Sequence, residues 1–327
     1  MADYLFFGRI TLDDIVTADG RLHPEVLGGG AVYAAVGARL WSDSVGVAAR
    51  VPAAFPRERL LLLEANAIQL DAVDTSSRDH PFHVFFAYQT RGLRRDGQLA
   101  SQFLRTGEPV PAHWRASGME PSVDLPDPRP ADGGPAVGHC LACHLAALPL
   151  SAATLLCADL RQKGVPRILL DPPSAAMDAQ YWPAFGLLLR DVDVVLISAR
   201  QIARLFQPTR PTLLEAARDL GAHGPALVII KRGAQGQLVY LPRTGEHRTV
   251  PAYPAQVRDV TGAGHAYCGG FTVGLVETGD PVEAALRGGV SASFAVEGTG
   301  PLYPLDASPG LAEARLAALR AATRQVE

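Results

Sequence analysis

Residues Arg258 to Gly300 read RDVTGAGHAYCGGFTVGLVETGDPVEAALRGGVSASFAVEGTG, and the rest of the chain is best read outward from them. Thr261-Gly262-Ala263-Gly264 runs directly into an amphipathic segment, His265 to Thr278. Small residues therefore stand where the free N–H groups of a helix start point outward at its positive end. That arrangement holds anions: glycine at 262 and 264 admits φ > 0 and close backbone approach, and Ala263 adds no bulk. A plain tight turn before a helix satisfies the same Gly-x-Gly pattern, so this segment alone leaves both readings open. Gly269 and Gly270 inside the helix cost roughly 1 kcal/mol each against Ala, which points to close packing against a neighbouring helix or a ligand.

On either side, short β-rich runs alternate with longer Ala/Leu segments at helical spacing, the pattern of a doubly wound, mainly parallel αβα sandwich. Strands are predicted at Tyr4–Phe7, Val45–Ala48, His83–Tyr88, Ala136–Leu141, Arg167–Asp171, Val192–Ile197, Leu227–Lys231 and Gln237–Tyr240. Helices are predicted at Ala31–Leu40, Arg57–Ala65, Ser151–Lys163, Ala199–Phe206, Thr212–Gly221, His265–Thr278, Pro281–Glu297 and Leu311–Glu327. The Pro-rich stretch 106–135 lacks apolar periodicity and reads as a loop or lid. Because the alternation keeps its character on both sides, that stretch is expected to be an excursion inside a single domain spanning 1–327.

The chain has 327 residues, 48% hydrophobic and 19% charged, with 30 Lys and Arg against 33 Asp and Glu for a formal charge of −3. This excludes a disordered chain and a nucleic-acid binder held by bulk positive charge. The opening MADYLFFGRITLDD has no basic n-region, and no run reaches about 18 apolar residues, so neither a signal peptide nor a membrane span is expected. Four cysteines are too few for a disulfide scaffold. A cytoplasmic protein with neither nucleic-acid nor membrane partners is the expectation.

The run Asp259-Val260-Thr261-Gly262-Ala263-Gly264-His265-Ala266-Tyr267-Cys268-Gly269-Gly270 resembles the second signature of the ribokinase-like, PfkB-type carbohydrate kinases, Asp-Thr-Thr-Gly-Ala-Gly-Asp-x-Phe-x-Gly-Gly. Gly28-Gly29-Gly30-Ala31-Val32-Tyr33-Ala34-Ala35 resembles the first signature, with Tyr33 replacing the commoner Asn. Gly8 with Asp13 five residues on is similar to the end of the family's first strand. Lys231-Arg232-Gly233-Ala234-Gln235-Gly236 is similar to its nucleotide-side turn, with Lys and Arg for Thr and Leu. The runs GGGAVYAAVGARLW, TRG at 90–92 and GGFTVGLVETG look closest to the fungal maintenance-of-killer branch, where the catalytic Asp is also often substituted.

The resemblance implies an αβα sandwich with a small β lid from about 11–27 and 83–103. It implies ATP along Thr261, Lys231, Gly233, Gly236, Gly288 and Ala292, and a sugar or nucleoside acceptor held by Asp13, Gly29, Gly30, Tyr33 and Arg91. Gly262, Ala263 and Gly264 would meet the transferred phosphoryl. The family also implies Mg²⁺, K⁺ through the backbone at Asp259, and a homodimer formed through lid strands.

Two departures bear on mechanism. The family's Asn-x-x-Glu, which organises magnesium and phosphate, falls on Ser198-Ala199-Arg200-Gln201 and loses its carboxylate, so magnesium handling is altered. Its catalytic Asp, the general base, is replaced by His265. Neutral imidazole, with a pKa near 6.5, accepts a proton at pH 7 and does not repel phosphate. His265 is thus a substitute base, a phosphate-binding group in a site that no longer reacts, or a capping and packing residue. Two readings of function follow: an ATP-dependent phosphotransferase acting on a sugar or nucleoside hydroxyl, or an impaired relative that binds nucleotide or sugar in a regulatory role. Release of phosphate from an already phosphorylated ligand is a third, thinner one.

Outside these motifs, Cys140-Leu141-Ala142-Cys143-His144 spells C-x-x-C-H but lacks a second ligand pair, and reads as buried thiols with a strand-end histidine. His80, His83 and the aromatics from Phe82 to Tyr88 alternate as a strand with one apolar face. Arg78, Arg91, Arg94 and Arg95 form a basic group, a solvated lid face or a phosphate contact. Asp171 ends the strand ILLD, where open α/β sheets place ligands, and its role is left open between structure and chemistry.

Overall fold

The computed structural model describes residues 1–78, 80–89, 93–94, 99–116, 125–174 and 177–324. In chain order the strands are β1 Tyr4–Phe7, β2 Thr11–Val16, β3 Leu22–Gly28, β4 Val45–Pro52, β5 Ile68–Ser77, β6 His83–Gln89, β7 Leu93–Arg94, β8 Ala142–Ala146, β9 Ile168–Asp171, β10 Val194–Ser198, β11 Leu227–Lys231, β12 Gln237–Leu241 and β13 Glu246–Val250. The helices are α1 Gly30–Arg39, α2 Arg57–Ala65, α3 Leu99–Thr106, α4 Ala112–Ala116, α5 Leu150–Gln162, α6 Trp182–Leu188, α7 Ala199–Leu205, α8 Leu213–Gly221, α9 Ala263–Thr278, α10 Pro281–Ala295 and α11 Leu311–Arg324.

Nine strands form one sheet in the order β13-β12-β11-β10-β9-β8-β1-β4-β5. Neighbours from β11 to β5 run parallel, while β12 and β13 add an antiparallel edge. Strand alternation divides the core into two layers. Tyr4, Phe6, Ala142, Leu169, Leu227 and Ile229 pack with α1, α9 and α10. Leu5, Phe7, Cys143, Leu145, Ile168, Leu170, Val228 and Ile230 pack with α5, α6 and α8. The chain leaves β1 through β4 and β5 on one side, then returns to β8 on the other and proceeds to β11. The order therefore reverses between β1 and β8, and the crevice beyond their carboxyl ends is where such sheets hold ligands.

The helices α1 and α9 meet at that crevice through small residues. A Cβ on Gly269 would lie 1.8 Å from Ala34 O, and one on Gly37 would lie 2.1 Å from Ala266 O. Only glycine lets the two backbones come so close. Gly270 is likewise closed off by Ser291 of α10, so both helical glycines serve packing between helices.

A second sheet, β3-β2-β6-β7, stands apart as a small lid. Its β2 pairs antiparallel with β3 and parallel with β6. Leu99, Phe103 and Trp114 of α3 and α4 form a separate apolar cluster with Phe85 and Leu22 of this sheet.

Several expectations are corrected. The strand predicted at Ala136–Leu141 is instead the end of a 3-10 helix, Pro130–His139, and β8 begins at Ala142. Gly134 at φ 49° and Pro135 kink the chain there, which a strand could not accommodate. The predicted loop 106–135 contains α4, and the predicted lid segment 83–103 ends in the first residues of α3. Strands β5 and β13 were not legible as strands in the sequence. Among the described residues no helix is long and apolar enough to cross a membrane.

Candidate functional site

The helix α9 starts at Gly262, whose φ of 73° is left-handed, and no side chain caps it. A Cβ at 262 would fall 2.0 Å from the Tyr33 ring, so glycine is required both by conformation and by space. The Ala263 N–H donates to Val260 O at 3.3 Å and the His265 N–H to Gly262 O at 2.9 Å. Among the described residues no acceptor meets the Gly264 N–H. Just upstream, Asp259 is buried, and its Oδ1 accepts from Thr261 N at 2.9 Å and Thr261 Oγ1 at 2.7 Å. This turn fixes the backbone that enters α9. Asp259 Oδ2 is buried without a protein partner.

His265 stands in the first turn of α9, its side chain 27% exposed, between the ends of α1 and β9. Its Cε1 is 3.3 Å from where a Cβ on Gly30 would be. Its Nδ1 lies 3.0 Å from Asp171 Oδ2, close to but not at the angle of a formed hydrogen bond. Asp171 is 4% exposed, and its Oδ1 is 2.9 Å from Lys231 Nζ. The same ammonium donates to Gly264 O at 3.4 Å and Cys268 Sγ at 3.3 Å, and the Cys268 thiol donates to Asp171 Oδ2 at 3.6 Å.

Two strand ends and one helix start thus converge on a single charge cluster. Burial alone would push the Asp171 carboxyl up, but the Lys231 ammonium and the His265 ring outweigh it and hold the carboxyl well below the usual carboxylate range. Burial likewise opposes the charge on Lys231, and Asp171 more than offsets it, raising the ammonium. Burial drives the Cys268 thiol well up, so it stays protonated. One strand over, His144 is fully buried with neither ring nitrogen hydrogen-bonded. Burial pushes it down to about 3, with Asp171 opposing and the charges of Lys231 and His265 adding to the effect.

The remaining predicted residues fall around this cluster. Asp13 is buried, accepts from Thr11 Oγ1 at 2.6 Å and lies against Gly28. Tyr33 is buried with its hydroxyl unpartnered, between the lid aspartate and Asp259. Gly29, at φ 99°, lies against Arg9 O. Gly233 and Gly236 bracket the 3-10 turn after β11. Thr261 spends its hydroxyl on Asp259, Gly288 is buried under the Tyr267 ring, and Ala292 is half-buried on α10. Arg91, together with Arg95 and the 90–92 run, lies outside the described residues.

Ser198 and Gln201 form a capping box at the start of α7: Gln201 Oε1 accepts from Ser198 N and Oγ, each at 2.7 Å, while its Nε2 donates to Pro172 O at 2.6 Å. These polar atoms are consumed within the protein and supply no carboxylate, so the pair does not fit a magnesium-organising role. Cys143 and His144 are successive residues of β8 and face opposite layers, and Cys140 precedes the strand, so the C-x-x-C-H run cannot converge on one metal.

On the lid, Glu25, His83 and His113 bring ligand-type atoms within 4.8 Å of one another. The two imidazoles are stacked at 3.9 Å and 11°, so their in-plane lone pairs run side by side and do not meet at a point. His83 Nε2 is 3.3 Å from Glu25 Oε1 and His113 Nε2 is 2.7 Å from Asp14 Oδ2. The cluster is a hydrogen-bonded latch between the lid and α4.

The sequence left the role of Asp171 open and did not join His144 to it. The signal was available: in β8, β9 and β11, the residues His144, Asp171 and Lys231 share the alternation phase of Ala142, Leu169 and Ile229, which face α9.

Comparison with known proteins bears on the family and the fold. Residues 139–308 match the family described as pfkB family carbohydrate kinase. The chain is 24% identical over 291 residues to a cytidine kinase of Thermococcus kodakarensis, covering 89% of this chain and 94% of the relative. It superposes on a candidate ribokinase II of Escherichia coli with a TM-score of 0.74 for the apo form at 16% identity, covering 97% of this chain and 100% of that one. For the complex of that protein with ATP and Mg²⁺ the TM-score is 0.71 at 15% identity, with the same coverage. A nucleoside kinase of Burkholderia thailandensis in complex with inosine gives 0.70 at 16% identity, covering 97% of each chain. The fold is therefore ribokinase-like, with a mostly parallel central sheet flanked by helices and a small separate lid sheet.

Proposed function

The chain belongs to the pfkB family of carbohydrate kinases, and from that membership we propose that it transfers the γ-phosphoryl group of ATP to a hydroxyl of a sugar or nucleoside, with His265 as general base. The observation that carries this reading is the uncapped start of α9, with His265 in its first turn facing the crevice beside Gly30. In such a transfer the protein chiefly positions the groups and offsets charge. The amides of Gly262 and Gly264 and the positive end of α9 would face the phosphoryl oxygens. The acceptor hydroxyl gives its proton to the imidazole and its oxygen bonds to the γ-phosphorus. The bond from that phosphorus to the bridging oxygen breaks, and its electron pair leaves with ADP.

The acceptor would lie between Asp13, Gly29, Gly30 and Tyr33 under the lid. The nucleotide would run along Gly233, Gly236 and the start of α10. Magnesium, where it takes part, would arrive with the nucleotide and offset phosphate charge, and no step is assigned to a protein-held ion. A monovalent cation would find Asp259, whose Oδ2 is buried and unpartnered, the fitting residue. On this reading residues 1–327 form one unit, and the runs GGGAVYAAVGARLW, TRG at 90–92 and GGFTVGLVETG carry the likeness to the fungal maintenance-of-killer branch.

The sealed Ser198–Gln201 capping box favours a second reading, a nucleotide- or sugar-binding protein of low catalytic power. The purified protein should be assayed with ATP and Mg²⁺ against a panel of sugars and nucleosides, with Gly264→Asp as control. Turnover above that control supports the kinase. No turnover, combined with calorimetric binding of ATP, would replace it with the second reading.

A further inference from the structure

We propose that Asp171 is the positioning residue that makes an imidazole workable as the base of this site, holding His265 through Nδ1 and leaving Nε2 as the proton acceptor. This deepens the kinase reading and rests on it. An ionised carboxylate can only accept hydrogen bonds, so a neutral imidazole that presents Nδ1 to it must carry its proton there. Asp171 is ionised because Lys231 sits 2.9 Å from its other oxygen.

The need for such a partner follows from where His265 stands. When the acceptor hydroxyl gives up its proton, an imidazolium forms in the first turn of α9, at the positive end of the helix and near the half-buried Lys231 ammonium. Both disfavour a cation. The Asp171 carboxylate, 3.0 Å from Nδ1, is the described group placed to offset them. A carboxylate base at residue 265 would have become neutral at the same moment and needed no such partner. Asp171 does not itself serve as the base, since it is 4% exposed and its oxygens are taken up by Lys231, Cys268 and His265. The Nδ1 contact is off the hydrogen-bond angle here, and catalytic contacts of this kind commonly tighten only when substrate is bound.

The test uses the full chain and the isosteric Asp171→Asn. For the active protein, kcat should fall about 10²- to 10⁴-fold, the range of a disabled base, while KM for ATP stays within about threefold, since the nucleotide-side contacts of the site are retained. In parallel, ¹⁵N resonances of the His265 ring should show the Nδ1–H tautomer at neutral pH in the unsubstituted protein and lose that preference in Asp171→Asn. Unchanged kcat in a folded variant overturns the proposal. So does an Nε2–H tautomer in the unsubstituted protein, a result that needs no variant to fold. If no acceptor is turned over at all, the kinase reading fails while the tautomer still decides the Asp171–His265 contact.

Discussion

Among the described residues, two buried aspartates each lie beside a histidine, in contrasting settings. At the carboxyl end of β9, Asp171 meets His265 at 3.0 Å with Lys231 on its other oxygen. On the lid, Asp14 meets His113 at 2.7 Å and also accepts from Trp114 Nε1 at 2.5 Å and the Glu25 N–H at 2.9 Å. The lid pair is satisfied by donors from α4 and β3 and ties both to β2. The pair at the end of β9 is a charge cluster balanced by an ammonium, at the open end of a crevice and the positive start of α9. The same two residue types make a latch where every bond closes inward. At the carboxyl end of β9 they form a charge cluster in which the His265 side chain stays partly exposed.

Four measurements sharpen or break that contrast. The largest effect is expected from His265→Ala, which should lower kcat about 10²- to 10⁴-fold, whereas His113→Ala should leave kcat within a factor of about two in the same assay. Equal losses would remove the distinction. Next, Asp14→Ala removes an acceptor shared by Trp114, His113 and Glu25 and should cost about 2–4 kcal/mol in urea unfolding, with kcat retained in the folded fraction. Loss of activity without loss of stability would mean that the lid pair belongs to the chemistry.

A smaller effect should come from His144→Phe. Burial holds the folded-state value of His144 down at about 3, against about 6.5 unfolded. Its contribution is therefore fully present above about pH 6.5 and is lost as pH falls towards 3, with a slope of up to about 1.4 kcal/mol per pH unit. The variant should flatten the acid limb of a plot of urea midpoint against pH. An unchanged limb would show that His144 is not buried as a neutral ring. The smallest effect is that of His113→Ala on stability, about 1 kcal/mol, read from the same unfolding curves.

Much of the fold was readable because the signals are local. The runs YLFF, LVIIK and RERLLLLEA became β1, β11 and α2 with the expected bounds. The Gly-rich entry to α9 was readable for the same reason, since a left-handed residue before a helix needs glycine wherever it occurs. The reading failed at Ala136–Leu141, where an apolar composition outweighed the break set by Gly134 and Pro135. It left Asp171 open, because this lone carboxylate at the end of ILLD takes its partners from β11 and α9. The latch of Glu25, His83, His113 and Asp14 draws on four segments, and no spacing in the sequence links them.

The amino-acid order by itself settled the parallel sandwich and the glycine turn that opens α9, because periodicity and backbone conformation act over a few neighbouring residues. Only the tertiary structure decided that Asp171, Lys231 and His265 form one charge cluster while Asp14 and His113 form a latch. Which strand ends and helix starts meet depends on the order of strands across the sheet and on how closely α1 and α9 pack, and both arise from contacts between residues far apart in the chain.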